Sequence, residues 1–116
     1  MSSDLKTKWN NLKTKLSVDF LDNEIIDLDS IIFLIGLQEL GQFQKRFNKQ
    51  KKLEVIHIAV CKLLSDYGYY EFDYTDNDGW PHYKVIKKLP NLKAGEQTIL
   101  MKKAIINYFM KSNYIN

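Results

Sequence analysis

The sequence predicts a mainly α chain of α+β class, a compact bundle of about four helices with one β-hairpin between the third and fourth. Three observations carry that expectation. Apolar residues recur at spacings of three and four through most of the chain, which is the helical period. Between residues 69 and 87 the period falls to two, the period of a strand. Glycine, proline and the short polar residues cluster where these patterns change.

The first helix is marked by Ser3 as its N-cap and by Leu5, Trp9, Leu12 and Leu16. Those residues make one apolar stripe, while Lys6, Lys8, Lys13 and Lys15 fall largely off it. An acidic connection follows, in which Asp19, Asp22, Glu24, Asp27 and Asp29 occur with no base among them. Asp29 suits the N-cap of a second helix over about 30–40, where a negative charge complements the helix dipole. That helix is apolar almost all round, through Ile31, Ile32, Phe33, Leu34, Ile35, Leu37 and Leu40. Such a segment belongs in the middle of a core. Gly36 within it marks a close approach to another helix, and Gly41 its C-terminal stop.

A basic segment comes next, with Lys45, Arg46, Lys49, Lys51 and Lys52 and no acid. Asn48 caps a third helix running to about Ser65, with Leu53, Ile56, Val60, Leu63 and Leu64 inward. In the strand-like stretch, Tyr70, Phe72 and Tyr74 alternate with Glu71 and Asp73. Residues 82–87 supply the partner strand. Pro90 and Asn91 then break the chain, and a last helix covers about 95–111. Its stripe is Ile99, Met101, Ile105, Tyr108 and Phe109, filled out by Leu100 and Ala104.

Asp78-Gly79 is a favoured pair for the centre of a two-residue type I′ turn. That placement sets Tyr74 opposite Tyr83, Phe72 opposite Val85 and Asp73 opposite Lys84. A slip of one residue would set the aromatic face against lysines. The same letters, Asp76-Asn77-Asp78-Gly79, invite a calcium-loop reading. Aligning Gly79 with that loop's glycine puts Tyr74 and Val85 where carboxylate ligands are required, so the reading fails.

The bulk numbers bound the function classes. A chain of 116 residues is expected to form a single domain, 1–116, that buries about two-thirds of its unfolded surface. With 45% hydrophobic and 27% charged residues it reads as an ordinary soluble globular chain. One cysteine, Cys61, forms no internal disulfide, which suits a reducing compartment. No signal-peptide pattern opens the chain, and its densest apolar run is far short of the roughly 20 residues that span a bilayer. The expectation is a cytoplasmic protein without membrane association and with no cofactor.

Among chemistry-bearing residues, His57 and Cys61 stand four apart on one helical face. Core packing, a metal pair completed by His82, and a thiol–imidazole nucleophile are the readings in order of weight. No phosphate-binding, dinucleotide, nucleophile-elbow or zinc-helix motif occurs, so the expectation is a non-catalytic protein. The leading function is a small protein-binding or adaptor module. Tyr74, Trp80, His82 and Tyr83 are its anchors at the hairpin end. For Trp80 itself, beside a tight turn, folding back onto the core is the weightier reading and the exposed anchor the alternative. The alternative function is phosphate or nucleic-acid binding through Lys45, Arg46, Lys49, Lys51 and Lys52. A lone arginine argues against base-specific readout. A homo-oligomer is also open, because the acidic and basic segments give the chain a dipolar charge pattern.

Overall fold

The structure, a computed structural model, describes residues 3–20, 26–41 and 46–115. Its elements in chain order are α1 (Ser3–Phe20), α2 (Leu28–Leu40), α3 (Lys49–Ser65), β1 (Tyr70–Thr75), β2 (Pro81–Val85) and α4 (Ala94–Lys111). This is the predicted class and order: four helices, with a two-stranded antiparallel hairpin between α3 and α4. The elements group into two units, residues 1–28 with 91–116 and residues 29–90. Lys45, Asp22 and Glu24 lie outside the described residues, as does the side chain of Ser3 on which its capping role depends.

In the first unit α1 packs on α4. The predicted stripe holds: Leu5, Trp9, Leu12 and Leu16 are all buried. Lys102 of α4 reaches over the Trp9 ring, its Nζ 5.4 Å from the centroid. On α4 the buried residues are Ala104, Ile105, Ile106 and Phe109. The helix ends in a Schellman arrangement. Asn113 takes φ of 61°, Asn113 N–H donates to the Met110 carbonyl at 3.1 Å, and Tyr114 N–H donates to the Phe109 carbonyl at 2.9 Å. Asparagine tolerates the left-handed region better than most residues, which is why the chain can reverse here. The reversal lays Tyr114 against Phe109, with ring centroids 5.3 Å apart. Tyr114 then returns to α1. Its hydroxyl donates to Asp19 Oδ2 at 2.5 Å, and its carbonyl accepts from Lys15 Nζ at 2.6 Å.

The second unit holds α2, α3 and the hairpin. Helix α2 starts at Leu28, so Asp29 sits in its first turn instead of capping it. The carboxylate still lies near the exposed amides of that turn, where negative charge is favourable. The expectation for Gly36 is met. A Cβ there would stand on the Val55 carbonyl oxygen and 2.6 Å from Val55 Cγ1. Backbone of α3 therefore fills the space that any other residue would need.

Helix α3 begins as predicted, with Asn48 Oδ1 accepting the Lys51 N–H at 2.8 Å. Its inward face agrees with the predicted one at Leu63 and Leu64 and differs elsewhere. Val55, Ile58, Ala59, Cys61, Leu63 and Leu64 are buried, whereas Ile56 and Val60 are half-buried and Leu53 is 54% exposed. The helix carries apolar residues on more than one side, so periodicity alone left its rotation undetermined.

The hairpin forms, in a different register. Asp76 N–H donates to the Trp80 carbonyl at 2.9 Å and Gly79 N–H to the Asp76 carbonyl at 3.0 Å. Asn77, Asp78 and Gly79 make a three-residue loop that closes on Gly79 at φ 85°, in place of a two-residue type I′ turn. Asp76 starts the turn one residue early because its carboxylate accepts backbone amides within the loop. Thr75 consequently faces Pro81 and Tyr74 faces His82. Carried on unchanged, that register would set Phe72 against Lys84. A bulge at Asp73 prevents it, so Phe72 faces Tyr83, Glu71 faces Lys84 and Tyr70 faces Val85. The extra residue also separates Tyr74 from Phe72. Tyr70, Phe72, Tyr83 and Val85 now share one face of the ribbon, and Tyr74 and His82 the other.

Candidate functional site

The second unit holds a cleft of about 450 Å³ between α3, from Gln50 to Cys61, and the hairpin, from Asp76 to Tyr83. Ile58, Cys61 and Tyr83 contribute its apolar lining, Trp80 and Pro81 come from the loop side, and Leu53 from α3. Lys51, Glu54, Asp76 and Asp78 bring charge to it.

The loop wall is held by Asp76. Its Oδ1 accepts the N–H groups of Asp78 at 2.9 Å and Trp80 at 3.0 Å, while Oδ2 lies 2.8 Å from His82 Nε2. The hydrogen bond with His82, then the bond from Trp80, hold the carboxyl below its ordinary range. His82 in turn stacks flat on Tyr74, with centroids 4.6 Å apart and planes 3° from parallel. One exposed carboxylate thus orients the turn, the imidazole and, through it, a tyrosine. This residue was not among the predicted anchors. The signal was available, because an aspartate opening an Asp-x-x-Gly turn is placed to accept its own loop's amides.

Trp80 folds inward. It is half-buried, edge-on to Phe47 with centroids 6.2 Å apart, and Phe47 is edge-on to Phe33 of α2 at 6.4 Å. Lys51 Nζ lies 5.0 Å from the centre of the Trp80 ring and 3.2 Å from Glu54 Oε2. An ammonium group therefore already sits between an aromatic ring and a carboxylate at this cleft.

The four predicted anchors are divided by the bulge. Tyr74 and His82 form an exposed stack on one face, whereas Tyr83 turns toward α3 and is half-buried. Burial, then the nearby Glu39, Cys61 and Asp66, pushes the Tyr83 hydroxyl up to about 12. Phe72 meets Tyr83 edge-on at 5.8 Å and remains 52% exposed.

His57 and Cys61 are brought together as their spacing requires, with Sγ 3.4 Å from Nε2. Their environments differ: the imidazole is exposed and packs edge-on to Tyr70, while the thiol is buried. Burial pushes the Cys61 thiol up to about 11. That is the opposite of the lowered pKa that activates a nucleophilic cysteine. Among the described residues, no group of three or more His, Cys, Asp or Glu side chains is arranged to hold a metal ion. Nor is any described helix long and apolar enough to cross a membrane.

Four residues of the basic segment, Arg46, Lys49, Lys51 and Lys52, are among the described residues. Arg46, Lys49 and Lys52 are exposed, but Lys51 is committed to Glu54 and Trp80. The first turn of α3 contains no acid, so its lysines face the positive end of the helix dipole.

No protein-family model, no curated protein and no solved structure matches this chain.

Proposed function

We propose that this chain is a non-catalytic protein-binding module whose contact surface is the hairpin. The observation that carries the reading is exposure of large apolar side chains on that one element. Phe72 and Tyr74 are each 52% exposed, Val85 is 66% and Ile86 is 53%. Single exposed apolar residues are common on protein surfaces, but three on one short ribbon, with Ile86 directly after it, favour a partner. On both faces the exposed aromatic of β1 lies against a ring of β2, Phe72 on Tyr83 and Tyr74 on His82. Rigid aromatic groups lose little entropy on binding and are frequent interface anchors. The raised thiol of Cys61 supports the non-catalytic part of the reading. Phosphate or nucleic-acid binding has less support, since Lys51 spends its charge within the unit.

Site-specific photocrosslinking tests the proposal. A photoreactive phenylalanine analogue at Phe72 is expected to give discrete adducts in cell lysate, and the same group at exposed Lys103 is not. Indistinguishable adduct patterns at the two positions would remove the hairpin as the contact surface.

A further inference from the structure

The cleft beside Trp80 has a chemistry of its own. It is lined by Ile58, Cys61 and Tyr83, by the carboxylates of Glu54 and Asp78, and by the indole ring of Trp80. A long apolar stem ending in a cation matches that set of surfaces: methylenes on the apolar side chains, the charged head at the carboxylates and the ring. Lys51 demonstrates the second half of the match within the chain, with its ammonium 3.2 Å from Glu54 and 5.0 Å from the Trp80 centroid. The volume, about 450 Å³, falls in the range of small-ligand pockets of roughly 300–1,000 Å³.

We infer that the cleft receives a lysine side chain from a partner protein, inserted between Trp80 and Glu54 in place of Lys51. The inference rests on the protein-binding reading and names the partner's contact chemistry. Charge complementarity favours this occupant. The chain carries a formal charge of +3, yet three carboxylates, Glu54, Asp76 and Asp78, line this cleft against one lysine, Lys51, and the imidazoles of His57 and His82. Asp76 is already engaged by His82 and two loop amides, which leaves Glu54 and Asp78 to meet the incoming head. A protein-borne lysine is favoured over a free amine because Leu53, 54% exposed, and Pro81 extend apolar surface at the same cleft. The residues flanking a lysine would cover that surface.

The test uses three capped peptides of one leucine-flanked sequence, carrying Lys, Gln or Glu at the central position. Binding is followed by amide chemical shifts of the full chain. The Lys peptide is expected to shift residues 50–54 and 80–83 saturably, and the Glu peptide to leave them unmoved. Glu54→Gln should weaken the Lys peptide about two- to fivefold, the scale of one exposed cation contact. Lys51→Met should tighten it by a similar factor, because the internal competitor is gone. Lys52→Met removes the same charge from the same helix but does not line the cleft, so it should have a smaller effect. Equal effects of Lys51→Met and Lys52→Met would reduce the attraction to general electrostatics and overturn the inference. So would equal binding of the Glu peptide, or binding of spermidine with none of the Lys peptide. Photocrosslinking at Phe72, run in parallel, separates the two claims. Persistent adducts alongside a failed Lys peptide sink the cleft assignment alone.

Discussion

The end of α4 and the end of the hairpin use the same residue type in opposite ways. At the helix end, Tyr114 is drawn in by a left-handed Asn113, donates its hydroxyl to Asp19 and rests on Phe109. At the hairpin, Tyr74 lies flat on His82 with much of its ring open to solvent. Both tyrosines are held by neighbours. One reports a polar group satisfied by packing, and the other an aromatic face held in position and left uncovered. The difference teaches that order alone does not separate an aromatic spent on packing from one open to a partner; what each ring leaves exposed does.

The comparison can be broken most forcefully by truncation. Leu12 on α1 is fully buried, and Leu12→Ala is expected to cost about 2–5 kcal/mol. Phe72→Ala on the hairpin removes a half-exposed ring and one edge contact, at about 1 kcal/mol or less. Urea denaturation of the two variants measures both. Similar losses would mean that Phe72 belongs to the core and would remove it from the contact surface.

A milder probe is Tyr114→Phe, which deletes only the hydroxyl bonded to Asp19. The expected loss is about 1 kcal/mol, the usual net value of such a bond. Its pH dependence has a definite sign. Burial, then the bond to Asp19, raises the Tyr114 hydroxyl above its ordinary value of 10.0. The neutral form is favoured in the folded chain, so this stabilisation is complete below that value and is lost as pH rises beyond it. A wild-type chain and a Tyr114→Phe variant that lose stability in parallel at alkaline pH would contradict the arrangement.

Cys61 offers the sharpest reading at the smallest cost in stability. With its thiol raised from 9.0 to about 11, the folded chain holds a proton that the unfolded chain releases between those values. The contribution to stability is therefore present below 9.0 and declines as pH rises toward 11. Near pH 8 the native thiol should alkylate about 100-fold more slowly than a free cysteine, in proportion to its thiolate fraction. Alkylation at the rate of a free thiol would return Cys61 to the list of candidate nucleophiles.

Much of this architecture was legible in the order of residues. The α1 stripe from Leu5 to Leu16, the Asn48 cap, the close approach at Gly36 and a ribbon between α3 and α4 all follow from period, capping chemistry and glycine placement. The inward face of α3 was legible only in part, since apolar residues surround much of that helix. Register was lost for another reason. Asp78-Gly79 favours a two-residue turn by local preference, but the hydrogen bonds of the Asp76 carboxylate start the loop earlier. The bulge at Asp73 then shifts the pairing again, to Phe72–Tyr83 and Tyr70–Val85, so the predicted pairs Tyr74–Tyr83, Phe72–Val85 and Asp73–Lys84 do not form.

The candidate site divides along the same line. Local order determined that His57 and Cys61 would meet, because four residues make one turn of helix. That Trp80 would fold back was expected from its place beside the turn; only the folded chain decided that it would meet Phe47, that Lys51 would close over it, and that Tyr74 and Tyr83 would point apart. Periodicity and capping act within a few residues of one another, so the chain carries them on its face. Register, helix rotation and the cleft depend on side chains that meet only after distant segments pack, and no short stretch encodes those meetings alone.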